Sequence, residues 1–131
     1  MKPSLAPGVT ATREFVVDRD RTIAFMGEEA RVYATPMLVR DIEIACRDLL
    51  LAHLDPTEDS VGTRVEIDHL APTLLGMKAT LQVKVSEVKG RAVTLEVEGR
   101  DDKELICRGR HMRFVVDVEK TKQRLKLKRA A

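Results

Sequence analysis

Large aromatic rings are nearly absent from this sequence, which has no tryptophan, one tyrosine and three phenylalanines. A core built without them has to come from valine, leucine, isoleucine, alanine and methionine. The ring platforms on which unpaired bases stack are missing too, so no nucleic-acid partner is expected. Cysteine is also scarce. Two thiols, Cys46 and Cys107, do not staple a domain of 131 residues, and the expected setting is a reducing cytoplasm. No apolar run approaches the roughly 18 residues of a membrane span, and residues 1–8 lack the hydrophobic stretch of a secretion signal. Glycine and proline number seven and five and are spread thinly, so no internal boundary is drawn and residues 1–131 read as one domain.

The formal net charge of +2 conceals a division. After Glu119 come six basic residues: Lys120, Lys122, Arg124, Lys126, Lys128 and Arg129. The 118 residues before it hold 17 basic and 20 acidic side chains. The tail 119–131 therefore reads either as a solvated helix or as an arm that faces phosphates, on a body too acidic to be a duplex-binding surface.

Hydrophobic periodicity supplies the architecture. Phe15, Val16 and Val17 mark a first strand over 11–18. Thr35-Pro36 marks a sharp helix start, with Thr35 as the expected N-cap and Pro36 in the first turn, where a missing N–H costs nothing. The helix is expected to run to about Leu54, before Asp55-Pro56. Leu38, Val39, Ile42, Ala45, Cys46, Leu49 and Leu50 form one broad apolar face, and Met37, Ile44 and Leu51 form a second stripe behind it. A helix apolar on nearly all sides is covered on nearly all sides, by a sheet and by a partner subunit. Four strands follow, over 61–70, 77–88, 93–98 and 104–116, with the alternation clearest at Ala79, Leu81, Val83 and Val85. One strand, a central helix and four antiparallel strands make an α+β hotdog fold, a sheet wrapped around a helix.

Three polar residues stand where packing predicts apolar ones. Thr35 opens the helix, Glu43 lies at the margin of its apolar face, and His69 shares a strand face with Val65 and Ile67. Taken singly, each has a structural explanation: a cap, a solvated flank, a core histidine. Cys46, Cys107, His53 and His111 lack metal-ligand spacing, and there is no glycine-rich phosphate loop or serine nucleophile elbow. No metal or separate cofactor is expected. His111 and Arg113 share a strand face unless Gly109 resets the phase.

The arrangement Thr35-x7-Glu43-x-Ala45-Cys46, Gly62-Thr63 and His69-x-Ala71-x-Thr73-x-x-Gly76 resembles the fluoroacetyl-CoA thioesterase-like family of hotdog enzymes. The resemblance extends from Phe15-Val16-Val17 to Gly109-x-His111-x-Arg113. It implies a hydrolytic set of Thr35, Glu43 and His69, with Gly62 and Arg113 lining the substrate site. The segment before the central helix is shorter than in the family's best-known member and lacks its Phe-rich lid. That points away from fluoroacetyl-CoA and toward a small or medium acyl-CoA held in an aliphatic pocket.

Under this resemblance, the helix N-terminus suits an oxyanion. Glu43 serves as nucleophile or general base, His69 moves the proton, and Thr35 orients the carbonyl or attacks it. Eight helical residues separate Thr35 from Glu43 by roughly 12 Å along the axis, so a homodimer with its site near the interface is expected, which could pair further into a tetramer. The alternative is a non-catalytic hotdog protein that binds acyl-CoA or a related ligand. A dehydratase is disfavoured, because no Asp-x-x-x-x-His pair is present.

Overall fold

The computed structural model describes residues 1–130. Seven strands are present: β1 (Thr10–Val16), β2 (Thr22–Ile23), β3 (Val32–Tyr33), β4 (Glu58–His69), β5 (Lys78–Lys89), β6 (Ala92–Arg100) and β7 (Leu105–Asp117). The two helices are α1 (Thr35–Leu51) and α2 (Val118–Ala130). Five strands form one antiparallel sheet in the order β1-β5-β6-β7-β4, and β2 pairs with β3 alone.

The sheet's inner face follows the alternation in the sequence. Ala79, Leu81, Val83 and Val85 of β5 are fully covered, as are Val93, Leu95 and Val97 of β6. Helix α1 lays Leu38, Ile42, Ala45, Cys46, Leu49 and Leu50 onto that face. Removing these side chains from water is the main source of stability, at roughly 1.5–3 kcal/mol for each large aliphatic residue. Strand β7 keeps its phase through Gly109, which pairs in register with Ile67 on one side and Val97 on the other. The absence of a side chain matters there, since a Cβ would fall 1.9 Å from the Glu66 carbonyl oxygen. Cys107, His111, Arg113 and Val115 all consequently point inward.

Four details differ from the sequence reading. Ala34 takes the N-cap position without a side-chain hydrogen bond, and Thr35 is already helical. Its hydroxyl is engaged elsewhere, as described below. Helix α1 ends at Leu51, because His53 folds back, donating to the Leu50 carbonyl at 2.8 Å and accepting from the Lys2 amide at 2.9 Å. Within one protomer the second apolar stripe, Met37, Ile44 and Leu51, is half-covered, as the expectation of a partner subunit on that side allows. Strand β4 does not seal the core along its length: Val61 and Val65 are 45% and 42% exposed, at a free sheet edge. The segment 19–34, which carries no strong periodicity, forms two single 3₁₀ turns around the short β2–β3 pair.

The basic tail is helical and buries no residue. Ending the chain after Val118 should therefore shift the thermal midpoint by no more than about 3 °C. A fall of about 8 °C or more in a calorimetric scan would show that α2 supports the core.

Candidate active site

Helix α1 and strand β4 lie side by side in opposite directions, and the expected site residues are distributed along that seam. At one end the Thr35 hydroxyl meets His69 Nδ1 at 2.8 Å. This contact explains why Thr35 does not cap its own helix. The imidazole is half-buried, and its Nε2 is the one buried side-chain polar atom without a hydrogen-bond partner among the described residues. Burial holds His69 below its ordinary value of 6.5, so the ring is neutral at neutral pH. A neutral histidine against a hydroxyl, with its second nitrogen free, is the geometry of a base poised on a nucleophile or on a substrate-orienting group.

An apolar hollow of about 470 Å³ opens at this end, lined by Ile23, Phe25, Val32, Tyr33, His69 and Ala71, among others. The expectation of a purely aliphatic pocket is corrected here. Three of the chain's four phenylalanine and tyrosine rings gather at this place: Phe25 and Tyr33 line the hollow, and Phe15 packs edge-on to Tyr33, with centroids 6.0 Å apart. Tyr33 is in turn edge-on to His69, at 6.4 Å.

Asp41 of α1 anchors this cluster, and no pattern in the sequence singled it out. It is 1% exposed. Its carboxylate accepts from the Tyr33 hydroxyl and from Arg21 Nε at 2.8 Å and Nη2 at 3.3 Å. Arg21 also sits over the Phe15 ring, 4.5 Å from its centroid. Burial, reinforced by the Asp41 carboxylate, raises the Tyr33 phenol well above its usual range, so it stays protonated as a donor. The segment 19–34 is thereby tied to α1 where periodicity gave no sign of a tie.

Further along the seam, Glu43, Gly62, Arg113 and His111 meet. A Cβ on Gly62 would lie 3.2 Å from His111 Cε1, 3.4 Å from Glu43 Oε2 and 3.5 Å from Arg113 Nη1. Arg113 is 3% exposed, and its Nη1 is 3.9 Å from Glu43 Oε1. Its Nε donates to Ser60 Oγ and its Nη2 to the Ser60 carbonyl, both at 2.7 Å. Burial lowers the Arg113 pKa, and the Glu43 carboxylate opposes that shift. Ser60 and His111 had not been singled out as site residues. Alternation on β7 does set His111 on one face with Arg113, as expected from the sequence, and Gly109 does not reset the phase.

The structure thus brings together Thr35 with His69, and Glu43 with Gly62 and Arg113. Within one protomer it does not join Glu43 to His69. The cysteines stay apart from the chemistry: burial pushes the Cys46 thiol up to about 12 and the Cys107 thiol up to about 11. Another hollow, about 560 Å³, lies on the outer sheet face among alternating charges that include Lys84, Glu96, Glu98 and Arg108. It contains no paired nucleophile and base.

A five-stranded antiparallel sheet wrapped on one long helix is the hotdog fold. A Thermus thermophilus protein described as a thioesterase superfamily member shares this fold with a TM-score of 0.86 and 31% identity, over 98% of this chain and 97% of that one. A phenylalanine-to-alanine variant of a fluoroacetyl-CoA-specific thioesterase, solved with fluoroacetate and CoA, superimposes with a TM-score of 0.80. It is 30% identical over 89% of this chain and 99% of that one. The fluoroacetyl-CoA thioesterase of Streptantibioticus cattleyicolor is 30% identical, spanning 100% of this chain and 99% of the relative. Residues 17–119 match the fluoroacetyl-CoA-specific thioesterase family, and the chain belongs to that family.

The buried clamp makes a stability prediction. Asp41→Ala leaves the Tyr33 hydroxyl without its acceptor and Arg21 with only its Asp18 contact, and should cost about 3 kcal/mol or more in urea unfolding. Tyr33→Phe removes a single donor and should cost about 1–2 kcal/mol. Equal and negligible losses would mean that the clamp is not structural.

Proposed function

We propose that this protein hydrolyses a small or medium acyl-CoA thioester through Thr35, Glu43 and His69, at a site completed across a homodimer. The observation that carries the reading is the Thr35–His69 pair with its unpartnered buried Nε2, facing an apolar hollow. A buried polar atom without a partner is costly unless a substrate or water group meets it. Family membership supports the same chemistry, as does the relative that was solved holding fluoroacetate and CoA.

In this account the acyl chain lies in the hollow beside Tyr33 and Phe25, and the thioester carbonyl lies at the N-terminus of α1. No side chain caps that end, so the positive end of the helix is available to the developing oxyanion. Glu43 acts on the carbonyl carbon directly or through water, and His69 transfers the proton. Two subunits supply the parts. The free edge of β4, with Val61 and Val65 exposed, suits pairing with a second copy of itself. A two-fold axis near Val65 and Glu66 would set His69 opposite Gly62 of the partner subunit, and therefore beside Glu43 of the partner subunit. Further pairing of dimers through their sheets would give a tetramer. Buried, unpaired Cys46 and Cys107 suit a reducing cytoplasm. Among the described residues no trio of His, Cys, Asp or Glu side chains is gathered for a metal. We assign the chemistry to the chain's own acid–base groups and take CoA as part of the substrate rather than a cofactor.

The test is thiol release from a panel of acyl-CoAs. Glu43→Ala and His69→Ala should each lower kcat/KM by about 100-fold or more, the scale expected for a lost acid–base group. No turnover by the wild type, with CoA esters still bound, would mark a non-catalytic binder. The pH profile provides a second check. A base held below 6.5 stays unprotonated to lower pH, so the acid limb of kcat/KM should fall below pH 6.5. A limb centred above about pH 7, or a flat profile from about pH 5 to 9, would remove His69 from that role.

A further inference from the structure

We infer that His111 is a positioning residue for the reaction, which fixes Arg113 and, through it, the Glu43 carboxylate. The inference rests on the thioesterase reading above. It begins from a ring whose tautomer the structure dictates. His111 is fully buried, and its Nδ1 lies 2.9 Å from the Arg64 carbonyl oxygen. A carbonyl only accepts, so Nδ1 carries the proton. On the other side, Nε2 lies 3.1 Å from Arg113 Nη1. A guanidinium only donates, so Nε2 must present a lone pair. Both contacts are satisfied by one species, the neutral Nδ1–H imidazole.

Arg113 is correspondingly committed. Its Nε and Nη2 donate to Ser60, and one Nη1 hydrogen goes to His111. Because the guanidinium is planar, these three contacts fix the direction of the other Nη1 hydrogen. The Glu43 carboxylate oxygen lies on the Nη1 side, at 3.9 Å. Glu43 is half-exposed on its helix and the structure gives it no hydrogen bond, so the buried arginine is its one charged guide from the protein interior. The absence of a side chain at Gly62 keeps the space between the three groups open.

The groups that face the ring are Arg113 from its own strand, Glu43 from α1, and the backbone of Gly62 and Arg64 from β4. Protonating His111 would turn its acceptor into a donor aimed at the arginine. Burial and the Arg113 charge both hold the ring below its ordinary value, against the opposing pull of the Arg64 carbonyl.

Two variants separate the two nitrogens. His111→Asn retains a donor for the Arg64 carbonyl and loses the acceptor for Arg113, whereas His111→Gln can return an acceptor near the Nε2 position. With one acyl-CoA substrate, His111→Asn should lose at least about tenfold in kcat with KM changed by no more than about twofold, and His111→Gln should recover most of the loss. Equal kcat in all three proteins, or losses matching only the fraction unfolded, would overturn the inference. A measurement on the wild type needs neither variant folding nor turnover. Nitrogen NMR of the ring should show protonated Nδ1 and bare Nε2 from about pH 5.5 to 8. An Nε2–H tautomer, or titration within that range, would overturn the inference. An inactive wild type would overturn the thioesterase reading and the catalytic part of this one. The ring's tautomer would still decide whether His111 supplies an acceptor to Arg113.

Discussion

The antiparallel seam between α1 and β4 sets the positions of everything else in the site. Three rungs tie it: Thr35 to His69, Glu43 beside Gly62, and Arg47 to Asp59 at 2.7 and 3.0 Å. An α-helix rises 1.5 Å per residue and a strand more than 3 Å. A long helix on a long strand therefore holds its two ends apart whatever the side chains do. The hydroxyl–imidazole pair and the carboxylate are fixed near different ends of one rigid contact. In the proposed mechanism they meet at a single thioester through a second seam running the other way, which a two-fold axis would provide.

Electrostatics reinforce this division. At the Thr35 end, Asp41 is buried with Arg21 and Tyr33, and the resulting clamp holds the ring chain that ends on His69. At the other end, buried Arg113 has Ser60, His111 and Glu43 around it. In both places a buried charge is closely partnered, as it must be where desolvation is expensive. Among the described residues the one buried side-chain polar atom without a partner is His69 Nε2, at the Thr35 end of the seam.

Much of this was legible in the sequence, for definite reasons. Period-two alternation at Ala79 to Val85 and the 3.6-residue rhythm of α1 are backbone consequences of burial, so both elements could be read directly. Thr35, His69, Glu43, Gly62 and Arg113 could be named through the family resemblance; Thr35 and Glu43 lie on α1, Gly62 and His69 on β4, and Arg113 reaches Glu43 from β7. What could not be read depends on contacts between distant residues. Thr35 resembled a cap because the competing partner, His69, lies 34 residues away. Asp41 could not be picked out because Arg21 and Tyr33 come from a segment without periodicity. Strand β4 resembled a core strand, since alternation says which residues share a face but not whether anything covers that face.

The central claim is that a working site takes Thr35 and His69 from one subunit and Glu43 from the other. Mixing the inactive variants His69→Ala and Glu43→Ala under conditions that exchange subunits tests it directly. In a hybrid dimer one composite site carries both substitutions and the other carries neither, so equal mixing should restore about a quarter of wild-type turnover. A mixture as inactive as its components, with subunit exchange verified, would contradict the account and place the whole set within a single chain.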